Sequence, residues 1–222
     1  MSVADKVLQL KQDFDDVYEA GQKEIWKSIT NNGARTNYES AFLRWNLDYF
    51  YPRFDIKPTG AYNIFGITTN ANVRVDLVAR LEECGVALDF SECTNVSRAF
   101  YITDFTRIGV VDCRKCQALE RVFASNSYLH TIEKWIVKAE NTFSYVFDGT
   151  NNLENITVEG VIGNSISFAG LNKLTHDSLI SIINVLEAKT SGTFTLSLGS
   201  TNLAKLSDAE KAIATQRGWT LA

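Results

Sequence analysis

Histidine is nearly missing from this chain, with two in 222 residues. Few side chains can therefore serve as a general base near neutral pH. No H-E-x-x-H, no G-x-S-x-G and no Asp-rich calcium loop occurs. Gly160-Val161-Ile162-Gly163 lacks the following Lys-Ser/Thr of a phosphate loop. His176-Asp177-Ser178 holds three triad residue types, but neighbours at a helix start point in different directions and cannot form a relay. Helix capping is their expected role. No apolar run approaches the roughly 18 residues needed to cross a bilayer. Met1 to Leu10 show no basic start, apolar core or cleavage site of a secretory signal. The expectation is a chain made and folded in a cytoplasm, without membrane insertion. Runs of Lys or Arg are missing too, and the net charge is −4 with a pI near 5.3. A nucleic-acid footprint is thereby disfavoured. The reading is no enzyme, with no catalytic, cofactor-binding or metal residues.

Cysteine is sparse, with four in the chain. Cys113 and Cys116 match C-x-x-C, which redox and zinc sites both use. A zinc site wants a second ligand pair at similar spacing, whereas Cys84 and Cys93 are nine apart and both histidines are remote. The cysteines read as reduced core thiols.

What the chain has in quantity is apolar residues, at 45%, and aromatics, led by thirteen Phe. From Val86 to Ile156 they repeat. Leu88, Val111 and Trp135 form one column, and Cys93, Cys116 and Glu140 a second. Val96, Leu119 and Phe143 make a third, and Phe100, Phe123 and Phe147 a fourth. The pairs Phe105-Ile108, Leu129-Ile132 and Leu153-Ile156 close each unit, at offsets of 23 or 24 residues. A period in the twenties with fixed apolar columns is the signature of a solenoid, whose units bury their apolar edges by stacking. Strands are expected around Leu88, Val110-Val111, Trp135-Val137 and Thr157-Val158. A turn with the Cys or Glu column follows each. The Val96/Phe100-type pair, spaced by four, is expected on a helical turn.

Flanking segments complete the plan. Val3, Val7, Leu10, Phe14 and Val17 form one apolar stripe of a helical stretch over residues 3–29. That helix docks on the body or joins copies into a homo-oligomer. Aromatic residues from Tyr38 to Phe54 form a small core or an exposed patch. Asp55 to Phe65 looks like a degenerate first repeat, and 73–84 reads as a helix closed by Gly85. Past Gly160 and Gly163 the repeat decays. Thr175 caps a helix reaching to about Ala188, and 193–198 alternates as a strand. Ser207 and Glu210 open a last helix with a capping box, and Trp219 to Leu221 close as a strand. The expected fold class is α/β. A solenoid of short parallel strands carries a helical N-terminal segment (1–54) and a helix-strand-helix C-terminal cap (within 55–222).

The L-x-x-I pair before a strand, the Cys at the turn and the Phe seven residues after it resemble the BspA-like class of leucine-rich repeats. The closing stretch from Leu174 to Leu186, with Thr193 to Leu198, 202–206 and Gly218-Trp219, looks like the closure of such proteins. Ile102-Thr103-Asp104 and Ala139 to Thr142 depart from that pattern by lacking its Leu and Pro. Tyr18 to Gly21, Arg35 to Tyr38 and the Trp/Tyr-rich segment before the repeats are similar to proteins encoded in bacteriophages and prophages of gut Firmicutes. The resemblance implies a binding or virion-structural module, a tail or host-recognition protein whose partner is a protein or surface glycan. The alternative is a cytoplasmic protein-interaction module with no viral role. Stacked strands expose about one side chain per rung, and Asp112, Lys134, Thr157 and Glu159 are the candidate interaction face.

Overall fold

The computed structural model describes residues 90–103 and 105–222, together with Lys6, Gln9, Leu10, Gln12 and Asp13. Those five are helical, Leu10 is exposed, and Gln9 Nε2 donates to Asp13 Oδ1 at 2.9 Å. The remaining expectations on 1–89, from the helical stripe through the aromatic cluster to the strand at Leu88, lie outside the described residues.

The described part is mixed α/β with short parallel strands and few helices. In chain order the strands are β1 (Arg107–Asp112), β2 (Ala118–Glu120), β3 (Thr131–Val137) and β4 (Thr142–Ser144). They continue with β5 (Asn155–Gly160), β6 (Ile166–Ser167), β7 (Phe194–Ser197) and β8 (Trp219–Leu221). Helices α1 (His176–Asn184), α2 (Ser200–Leu203) and α3 (Asp208–Gln216) lie towards the C-terminus. Three parallel sheets result, in the orders β1-β3-β5, β2-β4 and β6-β7-β8. Among the described residues no helix is long and apolar enough to cross a membrane.

Residue type explains the first sheet. Ile108, Val111, Ile132, Trp135, Ile156 and Val158 are β-branched or aromatic and all are buried. Ile108 pairs with Ile132 and Ile132 with Ile156, while Val111 pairs with Trp135 and Trp135 with Val158. The columns read from the sequence therefore lie side by side. Between Ile132 and Trp135 the register shifts, leaving one extra residue on β3 opposite β5.

Phe100, Phe123 and Phe147 form one internal row. Successive ring centroids are 5.7 and 5.5 Å apart with interplanar angles of 18° and 16°. Phe168 extends the row at 5.1 Å. The rhythm thus runs one row past Gly160 and Gly163, where it was expected to decay.

Two details differ from expectation. The Val96/Phe100-type segments are not helical turns: Leu119 lies in β2 and Phe143 in β4, paired with each other. Each unit instead turns through two left-handed residues. Arg98, Arg121 and Tyr145 form one such column with φ of 51–56°, and Ile102, Ser125 and Gly149 another with φ of 53–73°. A positive φ every four residues is incompatible with a right-handed helix, so the i, i+4 spacing arises from a tight bend. Secondly, Glu140 is exposed and Asn141 occupies the buried position of the cysteine column. Asn141 Nδ2 reaches Cys116 O at 2.7 Å and Cys113 O at 3.3 Å, bonds that a glutamate carboxylate cannot donate.

The last rung is closed by α1 in place of a strand. Ser178 Oγ accepts from Ile156 N at 2.9 Å and donates to Glu154 O at 3.2 Å. Ser181 Oγ accepts from Val158 N at 3.3 Å and donates to Ile156 O at 3.1 Å. Two hydroxyls three residues apart on the helix thereby meet the open edge of β5. Thr175 caps α1 as expected, accepting from Ser178 N. The helix stops at Asn184, short of Ala188, because Leu186 leaves it to bridge in parallel with Ile162. Ser207 and Glu210 form the expected capping box of α3.

Candidate interaction surface

The outward face of β1, β3 and β5 was expected to carry Asp112, Lys134, Thr157 and Glu159. Thr157 is exposed, and Lys134 and Glu159 are half-buried with Nζ and Oε1 2.7 Å apart. The structure thus brings these three together on neighbouring strands. Asp112 is not an exposed rung residue: it is 6% exposed. It is the last residue of β1 and folds back over the turn that follows. Its Oδ1 accepts from the Arg114 backbone N–H at 3.0 Å, and both carboxylate oxygens take the Arg114 guanidinium at 2.6–3.1 Å. Such side chain-to-backbone closure two residues on is ordinary for Asp at a turn. These hydrogen bonds with Asp112, and its charge, raise the Arg114 pKa further.

Val110 was missed by the sequence reading. It is 45% exposed and pairs in register with Lys134. Ile108 and Val111 fill the buried positions of β1 and place Val110 outside. Arg107 and Glu133 form a further cross-strand ion pair, and His130 Nδ1 lies 3.4 Å from Glu154 Oε1. The face presents a methyl-bearing residue, a threonine hydroxyl and cross-paired charges. Exposed pairs of this kind contribute about 0–1 kcal/mol each to stability.

Other residues singled out for chemistry are divided among separate structural tasks. His176 Nε2 lies 2.9 Å from Glu210 Oε1, whereas Ser178 is occupied with β5. The three triad residue types of 176–178 do not converge. Cys93, Cys113 and Cys116 are buried. Burial, then the hydrogen bond to Cys116, pushes the Cys113 thiol well above the ordinary cysteine range. A thiol held protonated is a poor nucleophile and a poor ligand. Trp135 Nε1 donates to Cys113 Sγ at 3.4 Å, and Cys116 Sγ to Cys93 O at 3.1 Å, so both thiols take part in packing. Among the described residues no group of three His, Cys, Asp or Glu is placed to hold a metal ion.

A buried polar ladder also escaped the sequence reading. Three residues after each column Phe stand Thr103, Asn126 and Thr150, all buried. Asn126 Nδ2 donates to Phe100 O and Phe123 O at 2.5 and 2.7 Å, and Thr150 Oγ1 to Phe123 O at 2.5 Å. The recurrent polar residue at Phe plus three was the available signal.

No family model, no curated protein and no solved structure matches this chain.

Proposed function

We propose that residues 55–222 form a leucine-rich-repeat-like solenoid of the BspA-like kind, serving as a non-enzymatic recognition module. The observation that carries this reading is the register itself. Ile108-Ile132-Ile156 and Val111-Trp135-Val158 lie in two straight rows across the parallel sheet. Stacked units of that kind offer a broad face with regularly spaced side chains, the usual use of repeat architectures. Lys134, Thr157 and Glu159, joined by Val110 and Arg114, are the contact residues of choice. Their mix of hydroxyl, charge and apolar surface suits a protein or surface glycan.

Association with a phage or prophage virion, as a tail or host-recognition component, rests on the likeness of residues 1–65. Mass spectrometry of purified particles tests it. Presence of the chain in stoichiometric amount supports the reading, and absence from particles overturns it. One stoichiometric intracellular partner in a pull-down would instead favour a cytoplasmic interaction module.

A further inference from the structure

Successive rows of the chain are joined by a ladder on the side away from β1-β3-β5. The N–H groups of Arg98, Phe100 and Ile102 donate to the carbonyls of Glu120, Val122 and Ala124 at 2.9–3.1 Å. In the next row Arg121, Phe123 and Ser125 donate to Ser144, Val146 and Asp148 at 2.6–3.0 Å. The row after that breaks the pattern. Tyr145, Phe147 and Gly149 hold the equivalent positions, and among the described residues their N–H groups meet no acceptor.

They face a groove of about 580 Å³ between the β4 row and the β6 row. Its far wall, β6, pairs with β7 and not with β4. Inside the molecule Phe147 and Phe168 remain stacked, so the rows part only towards the surface. Phe143, Tyr145, Ser167 and Ala169 line the opening, and Tyr145 is 63% exposed. The groove has a size typical of ligand sites. Unmet N–H donors on an open edge are costly to leave dry and are a template for another chain.

We propose that this groove binds a peptide segment of a partner protein, bent as the preceding rows are, whose alternate carbonyls accept from Tyr145, Phe147 and Gly149. The preceding rows state the required chemistry: in each, three donors two residues apart are met by three carbonyls with the same spacing. A polypeptide has that repeat and a sugar chain does not. Among the described residues no Lys, Arg or His lines the groove while Asp148 does, which disfavours phosphate or another anion. Main-chain pairing of this kind draws its affinity from the backbone and its selectivity from side-chain pockets. Ser167 and Ala169, both exposed, provide such a wall.

The test uses the full chain and a displayed library of random seven-residue peptides, followed by an NMR titration of ¹⁵N-labelled protein with one selected peptide. The expected result is that the amide signals of Tyr145, Phe147 and Gly149 shift downfield and gain protection from exchange. Ser167→Trp, which fills the groove from an exposed position, is expected to weaken the peptide at least tenfold. The proposal is overturned by any of three results. One is a library that yields no binder tighter than about 1 mM. Another is a bound peptide that leaves those three amides unchanged. The last is binding of an oligosaccharide, or self-association of the chain, that Ser167→Trp abolishes.

Discussion

The Asn126 side chain makes four hydrogen bonds from a fully buried position. Its amide nitrogen serves Phe100 O and Phe123 O, and its Oδ1 accepts from Thr103 N and Oγ1 at 2.7 and 2.5 Å. Asn126→Ala would strand several buried groups at once, at about 1–3 kcal/mol each before relaxation. Denaturant unfolding should therefore show a loss of at least about 3 kcal/mol; an unchanged midpoint would contradict the ladder. Phe123 lies between two stacked rings and against Trp135, at 6.0 Å in edge geometry. Phe123→Ala is expected to cost about 3–5 kcal/mol. A loss under about 1 kcal/mol would mean that the ring is not in the row. The two residues differ in legibility for a physical reason. A buried Phe every 23 or 24 positions stands out as apolar, whereas a buried Asn is indistinguishable in pattern from a surface one until its partners are known. Asp112 shows the converse: strand alternation allowed it to point outward, but the backbone N–H of Arg114 drew it inward.

At the scale of the element, helix starts were readable and strand ends less so. Thr175 and Ser207 cap their helices as their sequence context implies, because capping needs only a hydroxyl and a donor two or three residues on. The bends after β2 and β4 were misread, since apolar residues four apart occur both on a helix and across a left-handed turn. That Ser178 and Ser181 replace a strand could not be inferred from α1 alone, because it depends on which edge the helix meets. Converting both to Ala should leave Ile156 N and Val158 N without acceptors. Their amide exchange is expected to accelerate, with a stability loss of about 2–4 kcal/mol. Unchanged protection at both amides would show that α1 does not close the sheet. Glu210 offers a pH test. The Ser207 backbone N–H, then its hydroxyl, holds the Glu210 carboxyl below the usual range. A depressed folded-state pKa adds stability that is present above the unfolded value near 4.3 and is lost as pH falls through the folded one. Glu210→Gln should therefore lower Tm above about pH 6, where the contribution is fully present, and flatten the acid side of the Tm-against-pH curve below about pH 4.3, where wild type has lost it too. An unaltered acid limb would contradict the capping role.

For the whole molecule, the rhythm of apolar columns was enough to place three strands in parallel and in register. It was not enough to show where regularity ends. Phe168 and Asn164 keep the beat past Gly160, since Asn164 Nδ2 still reaches Ala139 O and Asn141 O at 3.1 and 2.9 Å. The backbone ladder nevertheless opens in front of β6, and no local feature of the sequence marks that gap. Gly160 belongs to this scale because it holds two rungs together. Its φ is +89°, and a Cβ there would stand 1.9 Å from Val137 O. Gly160→Ala must therefore push β5 from β3, and a loss above about 2 kcal/mol is expected in chemical denaturation.

The stacking of successive units is most directly measured by NOE contacts between aromatic rings in protein carrying labelled Phe. Cross-peaks are expected from Phe100 to Phe123, from Phe123 to Phe147 and from Phe147 to Phe168, with none from Phe100 to Phe147. Absence of the Phe100–Phe123 or Phe123–Phe147 contact, or a direct contact between Phe100 and Phe147, would contradict that stacking.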